Sequence, residues 1–183
     1  MKALIASLFS MILTACGDEA PLSRTEPATS APFSVDPERA FHFELGRGSG
    51  SEGLDTVAFG HEGVVTMFRQ RPVGKWQTST ITLSPEAIAH IFAEVKVQGV
   101  MNMPAAYHAD VHDGTQWVLW IRQNEKSKTI YFNNYFPKEV RLLAECLDKE
   151  LASAGLADAA WKQVSPERFR EHEKALWSSL RHP

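Results

Sequence analysis

The chain has 183 residues, of which 44% are hydrophobic and 22% charged, with 19 Lys and Arg against 22 Asp and Glu. This length predicts one folded domain with short extensions, and the composition excludes a wholly disordered, collagen-like or polytopic membrane protein. The formal net charge is -3. Because nucleic-acid-binding domains usually present a clustered basic surface, we expect no nucleic-acid partner.

The first sixteen residues have the order of a secretory signal. Lys2 supplies a positive charge, and residues 3–13 form an apolar run that is too short to cross a bilayer as a helix. The small residues of Leu13-Thr14-Ala15-Cys16 follow directly. A charged start, a short apolar run and small residues before a cleavage point are typical of secretory signals. With its cysteine, the segment resembles a bacterial lipoprotein signal ending in a lipobox.

This resemblance implies a lipid anchor at Cys16. Residues 1–15 would be removed, and acyl chains on Cys16 would hold the protein on the membrane of a bacterial cell envelope. Gly17, instead of an aspartate, follows the cysteine, which favours the outer membrane, with the protein facing the periplasm. The alternative is a plain secretory signal with an incidental cysteine. The second cysteine, Cys146, then has no partner within the chain, and its helical spacing predicts a small buried hydrophobe.

The rest of the chain divides into three parts. Residues 16–35 are expected to form the lipidated cysteine and a flexible tether, because they are rich in Pro, Ala, Ser, Thr and Glu. Residues 36–155 are expected to form the folded domain. Residues 156–183 are expected to add a helical extension that starts at Ser165-Pro166-Glu167 and packs on the domain, with docking of a partner as the alternative.

The hydrophobic patterns within the domain predict an α+β fold. Period-two alternation and β-branched residues predict strands, and a capped apolar stripe from Ser84 to Gly99 predicts a helix. A hairpin around Asn124 and a second helix after Pro137 follow. The order β-β-β-β-α-β-β-α predicts an antiparallel or mixed sheet of about six strands with both helices on one face. The predicted strands are 41–45, 55–59, 64–68, 76–83, 116–122 and 127–133.

A glycine-rich loop and an aromatic strand pair are the candidates for a binding surface. Glycines allow another surface to approach the backbone closely, and a strand with aromatic residues on both faces can leave one face open to a partner. The alternative is that the C-terminal helix covers this face. The candidate surface consists of Gly48, Gly50, Trp117, Trp120 and Tyr131.

A second cluster could bind a divalent metal ion. His108, Asp110 and His112 share one side of an extended segment and offer nitrogen and oxygen ligands. No helical or knuckle frame for zinc surrounds them, however, and polar residues before the Asp113-Gly114 turn are ordinary loop surface. The sequence contains no nucleophile motif such as G-x-S-x-G, S-x-x-K or H-E-x-x-H. We therefore expect no cofactor and no metal.

The segment from Phe43 to Leu151 resembles the emfourin-like domains, which are small bacterial α+β proteins that include a metalloprotease inhibitor. The shared features are the loop at residues 46–53, a helix that ends before Pro104, and a hairpin leading to the helix at residues 137–151. The chain more closely resembles uncharacterised envelope lipoproteins that carry Asp113-Gly114-Thr115-Gln116-Trp117 followed by Tyr131-Phe132-Asn133-Asn134.

These resemblances favour binding over catalysis. The expected function is that of a lipid-anchored envelope protein whose domain binds a protein or a small envelope ligand. Two alternatives stay open: a metal-dependent enzyme that uses His108, Asp110 and His112, and a structural component of the envelope.

Overall fold

The computed structural model describes residues 33–49, 53–109 and 114–180, which form an α+β fold around one mixed sheet of eight strands. The strands are β1 (His42–Ser49), β2 (Gly53–Phe59), β3 (Val64–Gln70), β4 (Trp76–Thr82), β5 (Ala106–His108), β6 (Thr115–Gln123), β7 (Lys126–Asn133) and β8 (Lys162–Gln163). The helices are α1 (Pro85–Val97), α2 (Lys138–Ser153) and α3 (Pro166–Ser179).

The sheet has the order β5-β7-β6-β1-β2-β3-β4-β8. Strands β1 to β4 form a meander, β6 and β7 form a hairpin, and β6 pairs with β1 to join the two units. Every pair is antiparallel except β5 with β7. Asn124, in the tight turn between β6 and β7, has φ 54°, a left-handed conformation that asparagine tolerates better than most residues. The C-terminal part of the chain returns to the far edge as β8.

The predicted α+β class is confirmed, whereas the predicted count of about six strands is wrong. The two additional strands are β5, with three residues, and β8, with two. Strands this short cannot show period-two alternation, so the sequence pattern missed them. Backbone hydrogen bonds next to them fix their positions, from Tyr131 N to Ala105 O and from Val164 N to Trp76 O.

Helices α1 and α2 pack together on one face of the sheet. The predicted start of α1 is confirmed: the Ser84 hydroxyl accepts a hydrogen bond from Ala87 N at 3.2 Å, and proline occupies the first turn. The apolar stripe predicted for α1 is buried, and its residues are Ile88, Ile91, Phe92 and Val95. From α2, the residues buried against the same core are Val140, Leu143, Ala144, Cys146, Leu147 and Leu151.

Helix α3 covers the opposite face with a smaller apolar contact. Leu176 is fully buried there against Leu54 of β2 and Val118 of β6. Gly46 makes this contact possible, because a Cβ atom at position 46 would lie 2.7 Å from Leu176 Cδ2. Thr129 adds a polar contact at the end of the helix by donating a hydrogen bond to Ser179 O at 3.1 Å. Both faces of the sheet are therefore covered, each by different helices.

Candidate functional site

The residues predicted to form one contact surface are divided between the two faces of the sheet. Trp117 lies on the face of α1 and α2, where its ring centroid is 4.7 Å from that of Phe136. Trp120 and Tyr131 lie on the opposite face, next to α3. Because strand side chains alternate, positions 117 and 120 cannot share a face of one regular strand. Gly50 lies outside the described residues.

Trp120 and Tyr131 take part in the docking of α3. The Tyr131 ring lies edge to face with Trp177 of α3, with centroids 5.9 Å apart. Trp120 packs against His42 with centroids 4.5 Å apart. Both side chains are partly buried, and this burial raises the pKa of the Tyr131 phenol. The structure thus places α3 over the face that was the candidate for an open aromatic surface.

Gly48 is required by the backbone of the β1–β2 hairpin. A Cβ atom at position 48 would lie 2.0 Å from Gly53 O on the facing strand, a distance that no relaxed structure allows. The neighbouring Gly53 adopts φ +84°, which L side chains rarely adopt. These two glycines therefore have a structural role at the base of the loop.

A partly exposed aromatic group remains at the end of the sheet where this loop lies. The buried Phe132 ring lies between two of its residues: the Phe132 ring centroid is 5.4 Å from that of Tyr107 and 6.4 Å from that of Phe136. Tyr135 is 36% exposed, and its ring lies 6.0 Å from that of Tyr107. We call this group the aromatic rim; it consists of Arg47, Tyr107, Trp117, Tyr135 and Phe136.

Arg47 links the aromatic rim to α2. Its guanidinium donates two hydrogen bonds to the Asp148 carboxylate, at 2.8 and 2.7 Å, and lies 5.8 Å from the Trp117 ring centroid. A polar cleft of about 240 Å³ lies beside it, lined also by Arg71 and Asp55. These two residues form an ion pair at 3.1 Å. Both arginines of the cleft are therefore paired with carboxylates.

An apolar cavity of about 300 Å³ lies at a different place, where the chain enters the domain. It is bounded by Phe33 and Val35 on one side and by Phe92 of α1 on the other. Asp36 N donates to Gln123 Oε1 at 3.0 Å, and Gln123 Nε2 donates back to Asp36 O at 2.8 Å. This reciprocal pair fixes the entering segment against β6.

The predicted metal cluster is only partly described. His108 belongs to β5, and its ring lies edge to face with Tyr131 at a centroid distance of 5.4 Å. Asp110 and His112 lie outside the described residues.

A buried carboxylate between two histidines is a site that sequence analysis missed. Glu44 is 2% exposed, and its Oε2 lies 2.9 Å from Nε2 of His42. Its Oε1 lies 3.2 Å from Nε2 of His172, an ion-pair distance without hydrogen-bond geometry. His172 also forms a 2.7 Å hydrogen bond with Thr56 Oγ1. The spacing of His42 and Glu44 was visible in the sequence, but His172 comes from α3 and gave no signal.

The two histidines determine the charge state of Glu44. Burial acts to raise the pKa of this carboxyl, but the contacts with His172 and then His42 outweigh burial and hold the pKa below its usual value. The carboxylate therefore stays ionised beneath α3. It ties the helix to β1 and so strengthens the closure of the second face.

Comparison with protein-family models, curated proteins and solved structures finds no match for this chain. Among the residues that the structure describes, no helix combines the length and apolarity needed to cross a bilayer.

Proposed function

We propose that this protein is a bacterial lipoprotein, anchored to the cell envelope through Cys16, whose α+β domain is a non-catalytic binding module. The main support for the lipid anchor is the sequence Leu13-Thr14-Ala15-Cys16, which directly follows a charged start and a short apolar run. Two or three acyl chains on one cysteine would hold the protein stably, since a single chain binds only marginally.

The anchor leaves the domain free to act at a distance from the membrane. The sixteen residues 17–32 separate Cys16 from the first described residue, Phe33. Fully extended, a chain of that length spans at most about 55 Å. Gly17, in place of an aspartate after Cys16, favours the outer membrane, with the domain facing the periplasm.

We assign the binding role to the aromatic rim. Tyr, Trp, Phe and Arg are the residue types enriched at protein interfaces, and the rim groups them in partly exposed positions. Strand β5 is also the edge strand of the described sheet, and an extended segment of another protein can add to the edge of a sheet as a further strand. The proposed partner is an extended segment of an envelope protein that pairs with β5 and places apolar side chains on the rim.

Metabolic labelling with a radioactive fatty acid tests the anchor. Wild-type protein expressed in a bacterial host is expected to incorporate label, and Cys16→Ser is expected to lose it because the acceptor sulfur is gone. Cys146→Ser is the matched control, since Cys146 is the other of the two cysteines. Equal labelling of the Cys16→Ser and Cys146→Ser variants would refute the proposed anchor.

Site-specific photocrosslinking tests the binding role. A photoreactive amino acid at Tyr135, introduced in intact cells, is expected to give one discrete adduct with an envelope protein. The same group at Val64, which is 50% exposed and begins β3 at the end of the sheet opposite to the rim, is the control. Trp117→Ala should abolish the adduct at position 135 while the protein stays folded. An adduct that also forms from position 64, or that persists in Trp117→Ala, would contradict the assignment.

A further inference from the structure

Helices α1 and α2 direct a nitrogen, a sulfur and an oxygen ligand towards one point. His90 lies on α1, and Cys146 and Glu150 lie four residues apart on one side of α2. One ligand atom from each residue can be chosen so that all three atoms lie within 4.8 Å of one another. His90 Nδ1 and Glu150 Oε1 are the closest pair, at 2.7 Å.

Exposure decreases from His90 to Cys146, so the cluster is open to solvent on one side. The His90 side chain is 62% exposed, the Glu150 side chain is 20% exposed, and Cys146 is 8% exposed. An ion could reach the cluster past the imidazole without movement of either helix. The thiol lies at the buried end of the cluster, where α1 and α2 shield it from solvent.

The charges around the thiol favour a cation. Glu94, one turn after His90 on α1, and Glu150 both act on Cys146 electrostatically, against one opposing positive charge from Lys149. Two carboxylates therefore act on the thiol against one lysine, so the local charge is negative. A divalent cation would offset this charge.

We propose that His90, Cys146 and Glu150 form a binding site for a transition-metal ion of the zinc class, which links α1 to α2. Zinc prefers this mixture of imidazole, thiolate and carboxylate ligands, whereas magnesium and calcium prefer oxygen alone. In a tetrahedral site with bonds of about 2.0–2.3 Å, neighbouring ligand atoms lie about 3.3–3.8 Å apart. The exposed His90 side chain can make the small adjustment that this spacing needs.

Binding exchanges the thiol proton for the metal ion. The proton leaves Cys146 for solvent, the sulfur electron pair forms the bond to the metal, and no oxidation or reduction takes place. The hydrogen-bonded pair of His90 and Glu150 would separate to admit the ion. Nδ1 of His90 would give up the proton that it donates to the carboxylate, and the neutral ring would carry its proton on Nε2, so that the Nδ1 electron pair can bind the metal. The fourth position of a tetrahedral site would be filled by water.

Titration of the full chain with Co²⁺, a spectroscopic substitute for zinc, tests the proposal. The Cys16→Ser background leaves Cys146 as the sole thiol. One equivalent of Co²⁺ is expected to bind with a dissociation constant below about 10 μM and to produce a thiolate-to-cobalt charge-transfer absorption in the near ultraviolet. Added Zn²⁺ should displace the cobalt and remove the band.

Variants decide which residues hold the ion. Cys146→Ser should remove the charge-transfer band, and His90→Ala and Glu150→Gln should each weaken binding by about tenfold or more. His90→Ala tests the site without disturbing the core, because its side chain is exposed. Glu145→Gln, an exposed carboxylate on α2, is the matched control for Glu150→Gln and should bind cobalt unchanged.

Three outcomes would overturn the proposal. The first is no binding in the micromolar range, and the second is binding with no thiolate band. The third is binding that His108→Ala abolishes and His90→Ala leaves intact, which would place the ion at the histidines near residue 110 instead.

Discussion

The contact between Gly46 and Leu176 holds α3 against the sheet and offers a direct test of how the second face is closed. Leu176 is fully buried, and its Cδ2 occupies the space that a side chain at position 46 would need. Two opposite changes probe the same contact: Leu176→Ala empties the space, and Gly46→Ala fills it. Together they form a double-mutant cycle.

The structure sets the expected magnitudes. Truncation of a fully buried leucine costs about 2–5 kcal/mol, and we expect about 3 kcal/mol here because the apolar cluster under α3 is small. A Cβ atom at position 46 would lie 2.7 Å from Leu176 Cδ2 and 3.0 Å from Leu54 Cδ1. Such overpacking costs about 1–3 kcal/mol, and the reduced entropy of the unfolded chain offsets about 0.4–1 kcal/mol of it.

The double variant should be more stable than the sum of the two single effects implies. Removal of the Leu176 side chain relieves the closest clash of the methyl group added at position 46, and this methyl group fills part of the cavity. The contact with Leu54 remains, so the relief is partial. We expect the coupling energy to be about 1 kcal/mol in favour of the double variant.

Equilibrium unfolding in urea, followed by far-ultraviolet circular dichroism, measures these free energies. Lys174→Ala, at an exposed position of α3, is the control that should combine additively with Gly46→Ala. Exact additivity of Gly46→Ala with Leu176→Ala, or a cost below about 1 kcal/mol for Leu176→Ala, would refute the packing argument.

Three further changes test separate parts of the fold. Because the folded pKa of Glu44 lies below 4.5, its contribution to stability is present above that pH and is lost as pH falls through the folded value. Urea unfolding below pH 5 should therefore show a smaller acid loss for Glu44→Gln than for wild type. Ser84→Ala should cost about 1 kcal/mol in the same assay at neutral pH, because Ala87 N loses its cap; an unchanged midpoint would contradict the cap. Burial lowers the pKa of Lys128, so the unfolded chain binds more protons and wild-type stability should rise with pH towards 10.5. Lys128→Met should flatten this rise, and an equal slope in both proteins would count against a buried cation.

The parts of the fold that the sequence predicted are those set by local signals. Ser84, Pro85 and the apolar spacing that follows lie within one short segment, so cap, start and buried face of α1 could all be derived from it. Strand β8 has two residues and is defined by its partner β4, so nothing in its own sequence marks it. The pairing of Glu44 with His172 depends on how α3 crosses the sheet, which no local pattern encodes.

For the candidate sites, too, local sequence patterns do not show which side chains the fold brings together. Trp117 and Trp120 were grouped because a strand with aromatic residues on both faces can leave one face open, but α3 covers the face of Trp120, and Trp117 lies on the opposite face. In the cluster of His90, Cys146 and Glu150, the fold brings together residues that are distant in sequence. The i, i+4 spacing of Cys146 and Glu150 was present in the sequence, but the third ligand lies on the neighbouring helix, so only the packing of α1 against α2 completes the cluster.

The two faces of the sheet are closed by different physical means, but helices cover both of them. Helices α1 and α2 close the first face through a large apolar core. Helix α3 closes the second with a smaller apolar contact, in which Leu176 meets Leu54 and Val118 and Phe169 lies beside Phe68. Polar contacts supplement it, such as Glu173 Oε1 accepting a hydrogen bond from Leu54 N at 3.0 Å. With both faces occupied, a partner that contacts the sheet itself must approach it at an edge or an end. The aromatic rim lies at such an end, beside the edge strand β5, which is why the proposed interaction is assigned to it.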